Sequence, residues 1–327
     1  MSTAPVRPDK LLRELDELWV NLAKESPEEG PGGVLRACAM TLIVCADDAE
    51  DDLGEMLAAL MRDHPSRLIV LRLIEGAEPS LEVRVLAQCW MPFGKRQQIC
   101  CEQIEITMSR PSVSDAAPVV RSITAPDLPV AIWCRSRALL KTAEFEPVLR
   151  LANKLIVDSA GIADLASQLK LIRSVRDCDT RAADLAWTRL TPWREAVAAI
   201  FDNQRNLSQL DSIERVVIDY HGEFRPMATC YLPAWLTHAL RRPLEIQYRR
   251  TGDAPRPRLS RVSLQGPGVD LSISAADGRA VEIRGGRHDT HTVFPAPGEY
   301  ELMREELMVL SDDPVYEAVL NLAPEFA

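Results

Sequence analysis

Met40-Thr41-Leu42-Ile43-Val44-Cys45-Ala46 decides the fold: it is a short, continuous apolar run, as expected of a strand covered on both faces. The acidic run Asp47-Asp48-Ala49-Glu50-Asp51-Asp52 follows, then a helical pattern to about Arg62. The turn His64-Pro65-Ser66-Arg67 leads into a second apolar run, Leu68 to Leu73. Strand, helix and strand at these spacings form a βαβ unit, so the two strands should be parallel with a right-handed crossover.

Downstream, Leu81 to Trp90 and Gln98 to Met108 flank a break containing Pro92 and Gly94, which predicts an antiparallel hairpin. Pro129 to Trp133 is another buried strand, Phe145 to Ala152 has a helical pattern, and Lys154 to Val157 ends the series as a last short strand. Residues 34–162 are therefore expected to form an α/β domain, with a mixed, largely parallel sheet and helices on its faces. Upstream, Leu11, Leu12, Leu15, Leu18, Trp19 and Leu22 share one helical face, with the polar run 26–33 as a linker. The amphipathic helix and linker make up residues 1–33, and docking of the helix on its own domain is the simpler expectation.

Residues 163–206 are expected to be a mainly helical connector with a stop and restart at Thr191-Pro192, Thr191 as N-cap and Pro192 in the first turn. In residues 207–327, Val269, Leu271 and Ile273 alternate with Asp270, Ser272 and Ser274 before the turn signal Asp277-Gly278. With Arg215–Tyr220, Leu244–Arg249 and Arg261–Gln265, this predicts an α+β domain with a mostly antiparallel sheet, and helices at 228–240 and 298–310 packed on it.

The 327 residues carry 38 basic and 48 acidic side chains, a formal charge of −10. That balance argues against nucleic acid and against acidic membranes, since both need clustered positive charge. No stretch approaches the ~20 apolar residues that cross a bilayer, and Met1 to Pro8 has no apolar core of a secretory signal. The expected setting is cytoplasmic. Cys38, Cys45, Cys89, Cys134 and Cys230 lie in apolar surroundings, where a thiol acts as a small hydrophobe. Cys100 and Cys101 should point to opposite faces of a strand, which prevents their joining each other; they are the candidate redox pair.

Signatures of chemistry are sparse. No G-x-G-x-x-G follows a strand, and Gly94-Lys95 lacks the rest of a P-loop, so no cofactor is expected. Ser159 follows a strand as a nucleophile elbow does, but Val157 stands where the elbow needs glycine; capping by Asp158 and Ser159 is simpler. His288-Asp289-Thr290-His291 is the one close histidine pair, in a polar loop without thiols, so no metal is expected. Asp47 and Asp48 could hold Mg²⁺ beside a phosphate, although carboxylates also gather at helix N-termini for the macrodipole. The unusual segment is Ala186-Trp187-Thr188-Arg189-Leu190-Thr191-Pro192-Trp193-Arg194-Glu195, with two tryptophans and two arginines. Trp and Arg dominate binding hot spots; an interdomain core is the equal alternative.

These pieces carry a family likeness. His64-Pro65-Ser66-Arg67, Cys100-Cys101-Glu102-Gln103-Ile104, Asp127-Leu128-Pro129-Val130, Ile156-Val157-Asp158-Ser159-Ala160 and the Trp187–Trp193 segment resemble, in order, the glucose-6-phosphate dehydrogenase assembly protein family, OpcA. The resemblance implies a non-enzymatic partner of glucose-6-phosphate dehydrogenase that favours its active oligomer and supports the oxidative pentose phosphate pathway. The expected partner contacts are Trp187, Thr188, Arg189, Trp193 and Arg194, with His64 and Arg67 as a second patch. The alternative is a sugar-phosphate-binding protein or enzyme using Asp47, Ser66, Arg67, Asp158 and Ser159.

Overall fold

The computed structural model describes residues 8–25, 34–47, 53–91, 98–175, 180–276, 280–285 and 289–327. The chain forms two compact units that exchange segments: residues 1–157, 175–182 and 303–310 make the first, and 158–174, 183–302 and 311–327 the second. Within the stretch 163–206, residues 175–182 fall in the first unit and the rest in the second. Among the described residues no helix is long and apolar enough to cross a membrane.

The first unit begins with α1 (Pro8–Glu25), β1 (Val34–Arg36), β2 (Met40–Asp47), α2 (Leu53–Asp63) and β3 (Ser66–Ile74). Then come β4 (Leu81–Trp90), β5 (Gln98–Ser109), α3 (Val113–Ile123), β6 (Val130–Cys134), α4 (Arg137–Leu140), α5 (Glu146–Leu149) and β7 (Lys154–Val157). After α6 (Leu165–Val175), β8 (Arg181–Asp184) completes a sheet of order β1-β5-β3-β2-β6-β7-β8, with β4 paired to β5. The βαβ reading holds: β2 and β3 are parallel from Met40↔Ser66 to Asp47↔Leu73. β2 is central, flanked by β3 and β6, which is why residues 40–46 are apolar on both faces and buried. β4 and β5 are antiparallel, as the hairpin reading requires.

Two expectations fail here. Lys154–Val157 is not the last strand, because β8 follows inside a stretch with a helical reading. Its Arg-Ala-Ala-Asp sequence carries no β-branched residue, so pairing rather than propensity sets its conformation. Cys89, expected as a free apolar thiol, forms a disulfide with Cys100. The β4–β5 register sets these two residues directly opposite each other. Reduction opens a link between positions 11 residues apart, for which loop-closure entropy gives an upper value of about 3 kcal/mol. A lower melting temperature with dithiothreitol, absent in a Cys89→Ser/Cys100→Ser variant, is the expected result.

The second unit continues with α7 (Leu185–Thr188), α8 (Thr191–Ile200), α9 (Gln204–Leu207), β9 (Arg215–His221), α10 (Ala228–Leu240) and β10 (Glu245–Gly252). Then follow β11 (Arg258–Gly266), β12 (Val269–Ala276), β13 (Ala280–Arg284), β14 (Thr290–Val293) and α11 (Glu299–Met308), whose residues from Met303 on fall in the first unit, and α12 (Pro314–Leu322). The strand order is β10-β9-β11-β12-β13-β14. β10 and β9 are parallel and the other pairs antiparallel. Val216, Ile218, Val262, Leu264, Leu271 and Ile273 are all buried, which explains the period-two pattern of these strands.

Local details differ from the sequence reading. Thr191 is the first residue of α8 with Leu190 at the N-cap position, while Pro192 sits in the first turn as expected. His291 lies in β14 opposite Glu282, not in a loop. Asp48, the turn Asp277-Gly278 and His288 lie outside the described residues.

Candidate functional site

Residues 184–195 form the centre of the second unit. Asp184 caps α7, its carboxylate accepting from the Ala186 amide at 2.9 Å. This cap starts the short helix that carries Trp187, Thr188 and, just after it, Arg189. The Pro192 restart then turns α8 so that Trp193 leaves in another direction. Trp187 is 4% exposed and Trp193 8% exposed. The Trp187 ring packs 5.6 Å from that of Tyr316 and 6.1 Å from that of Tyr231, and its Nε1 donates to Asp313 Oδ2 at 3.3 Å. The Arg194 guanidinium covers it at 3.7 Å from the ring centroid and also donates to Thr191 Oγ1 at 2.8 Å. Trp193 meets Phe294 edge-on at 5.1 Å.

These ring partners all belong to the second unit. Both indoles therefore sit inside the chain, and the same large apolar area that suits tryptophan to hot spots suits it to a core. Thr188 is buried as well. What the motif leaves accessible is its rim, with Arg189 33% exposed. Arg189 makes a two-pronged bond to Asp158, Nη1 to Oδ1 at 2.7 Å and Nη2 to Oδ2 at 2.6 Å. Asp158 Oδ1 also accepts from the Ala160 amide.

Beneath this rim lies a fully buried polar hub. Asp184 accepts from the Ser159 amide and hydroxyl and from the Tyr231 hydroxyl at 2.7 Å, and Tyr231 in turn meets the Tyr316 hydroxyl at 3.3 Å. Burial is the main force raising the Asp184 carboxyl, to about 6, opposed by the Ser159 bond and reinforced by the Asp158 charge. Burial also holds the Tyr231 phenol well above its ordinary value. Ser159 is thus a donor to Asp184 in the interior, not an exposed nucleophile.

In the first unit, Arg67 does not present a free guanidinium, contrary to both readings that used it. It is buried, with Nε on Glu102 Oε2 at 2.5 Å and Nη1 on the Ile123 carbonyl at 2.6 Å. Glu102 also accepts from Arg36 at 2.5 Å and from Trp19 Nε1 at 2.5 Å. Through Trp19, α1 docks on its own unit, with Leu11 and Leu15 buried. His64 is half-buried, its Nε2 3.2 Å from the Arg304 carbonyl oxygen.

Ser66 and Asp47 of the sugar-phosphate set are not brought together. Ser66 begins β3 and Asp47 ends the parallel β2, so they stand at opposite ends of these neighbouring strands, about 23 Å apart at 3.3 Å per residue. Asp47 accepts from Ser136, whose hydroxyl caps α4. Cys101 is a buried free thiol, raised to about 11 mainly by burial, which suppresses its reactive thiolate. Among the described residues no three His, Cys, Asp or Glu side chains form a metal-binding group.

Glu102, Asp184, Tyr231 and Tyr316 take roles here that no sequence motif assigns to them. Asp184 stood three residues before the motif as a cap signal; the others had no local mark, since they are joined across 35 to 85 positions.

Fold and site together define a two-unit protein: a largely parallel α/β sheet, a helix-backed and mostly antiparallel sheet, and a tryptophan–arginine segment at the heart of the second unit. The chain belongs to the family of the glucose-6-phosphate dehydrogenase subunit, OpcA: residues 57–174 match its N-terminal domain and residues 180–320 its C-terminal domain. The OxPP cycle protein OpcA of Nostoc punctiforme is 27% identical over 215 residues, 64% of this chain and 45% of that one. Its namesake in Synechococcus elongatus is 27% identical over 194 residues, 58% of this chain and 43% of that one. The chain thus spans less than half the length of these curated relatives. Among solved structures, biliverdin reductase from Synechocystis aligns at 12% identity and a TM-score of 0.47, covering 88% of this chain and 96% of that one. A likeness at that level carries no argument about activity.

Proposed function

We propose that this chain is a non-enzymatic binding partner of glucose-6-phosphate dehydrogenase that favours the active oligomer of that enzyme and so supports the oxidative pentose phosphate pathway. It acts by binding one state of the dehydrogenase more tightly than the others, and tenfold activation needs only ~1.4 kcal/mol of preference. The observation that carries this reading is the family match across both domains. The engagement of Ser159, Arg67 and Asp47 in internal bonds is in keeping with it. On this reading the contact surface is the accessible rim of the motif around Arg189 and Arg194, with Trp187, Thr188 and Trp193 holding the rim in place from below. His64 lies on a second patch.

The test is size-exclusion chromatography of the chain with its cognate dehydrogenase, followed by activity. Arg189→Ala is expected to weaken activation by about tenfold or more. Asp158→Asn, which frees Arg189 while leaving it in place, is expected to activate nearly as the parent does. Normal activation by Arg189→Ala removes the rim from the reading. Equal losses in both variants make the ion pair structural.

A further inference from the structure

The free strand edges of this molecule are not alike. β10 carries a register irregularity between Arg250 and Gly252 and exposes Glu245, Arg249 and Arg250. β14 and β8 are four residues each. Short strands, charges and bulges are the usual devices that keep an edge from pairing with another chain. β4 has few of these. It is ten residues long, pairs with β5 without a break from Leu81↔Met108 to Trp90↔Ile99, and contains no Pro, Gly or Lys. Among the described residues no strand lies on its other side. Its charges are Glu82 and Arg84, both exposed and both on one face of the strand, since they are two apart. Arg84 reaches Glu105 only at 4.0 Å, with its side chain 72% exposed.

We propose that β4 is a self-association edge, on which a second copy of this chain adds its own β4 antiparallel about a two-fold axis at Val83. A two-fold axis normal to the sheet keeps side chains on their face, so residues separated by an even number become opposite partners. Centring on Arg84 or Glu82 sets like charges against each other. Centring on Val83 sets Glu82 opposite the second copy's Arg84, and Arg84 opposite its Glu82, so two attractive pairs form by symmetry. Leu81 then faces Val85 of the second copy on the other side of the sheet. On this proposal the main-chain groups of β4 that point away from β5 supply the ladder, and the charge pair selects register and partner.

The experiment is sedimentation of the purified full chain from about 1 to about 100 µM, with no dehydrogenase present, a range in which a weak edge-to-edge dimer is populated. The parent should pass from the mass of one 36.4 kDa chain to that of two as concentration rises. Glu82→Arg and Arg84→Glu should each weaken the dimer by on the order of tenfold, and the double exchange should restore it. Val83→Cys should cross-link to a covalent dimer under mild oxidation, a band the parent does not give; this variant decides the matter if a charge reversal fails to fold. A monomer throughout, a dimer indifferent to the single reversals, or a Val83→Cys chain that stays unlinked overturns the proposal. So does a β4 edge whose reversals alter dehydrogenase binding alone. The readout needs no second protein, so its failure is separate from failure of the assembly role.

Discussion

Replacing Glu102 by alanine is expected to cost about 3–5 kcal/mol of stability, the range found when one partner of a buried ion pair is removed. Glu102 is 3% exposed and Arg67 only 10%, so the Arg67 guanidinium would be left beside a void with the Ile123 carbonyl as its remaining acceptor. Arg36 is half exposed and can turn to water, so its loss adds little. Trp19 loses the acceptor of its indole N–H, and with it the polar anchor of α1. The melting temperature should fall by roughly 10 °C or more. Trp19→Phe, which deletes one hydrogen bond and leaves the ion pair intact, should cost only about 1 kcal/mol. If Glu102→Ala melts as the parent does, Glu102 is not the clamp that the geometry describes.

Asp184 should make the stability of the second unit fall as pH rises. Its carboxyl sits near 6 in the folded chain against 3.8 for the free side chain, so between these values the folded state holds more protons than the unfolded one. Stability contributed by the protonated form is therefore complete below about pH 4 and is lost as pH climbs through 6. The difference is on the order of 3 kcal/mol for a group this deeply buried. Asp184→Asn keeps one acceptor for the Ser159 or Tyr231 donors but cannot ionise. Its denaturant midpoint should stay flat from pH 4 to 7 relative to the parent. A parent and variant with parallel pH profiles would mean that Asp184 keeps an ordinary carboxyl, and that the four bonds it accepts outweigh its burial.

Both clamps show where sequence reading stops. The strands β2 and β3 were legible because their residues are apolar on both faces, a pattern with one structural explanation. The period-two alternation of β12 was legible for the corresponding reason, one buried face and one open. β8 was not, since its conformation comes from its neighbours in the sheet and not from its own side chains. The disulfide hid in a similar way. The sequence puts Cys89 and Cys100 on the two strands of a hairpin, yet only the register makes them opposite.

The motif around Trp187 is the clearest division between the two sources of information. Its residues and their order, together with four shorter pieces, carry the family likeness, because a run of rare side chains is a property of the chain. Whether those side chains face a partner or a core is a property of what surrounds them. Tyr231, Tyr316, Asp313 and Phe294 surround them here, brought from 44 to 129 positions away. Local sequence determined strands, helix starts and kinship. Tertiary packing decided which charged and aromatic groups remain in contact with water, since burial depends on the whole set of neighbours and none of it is written in any one segment.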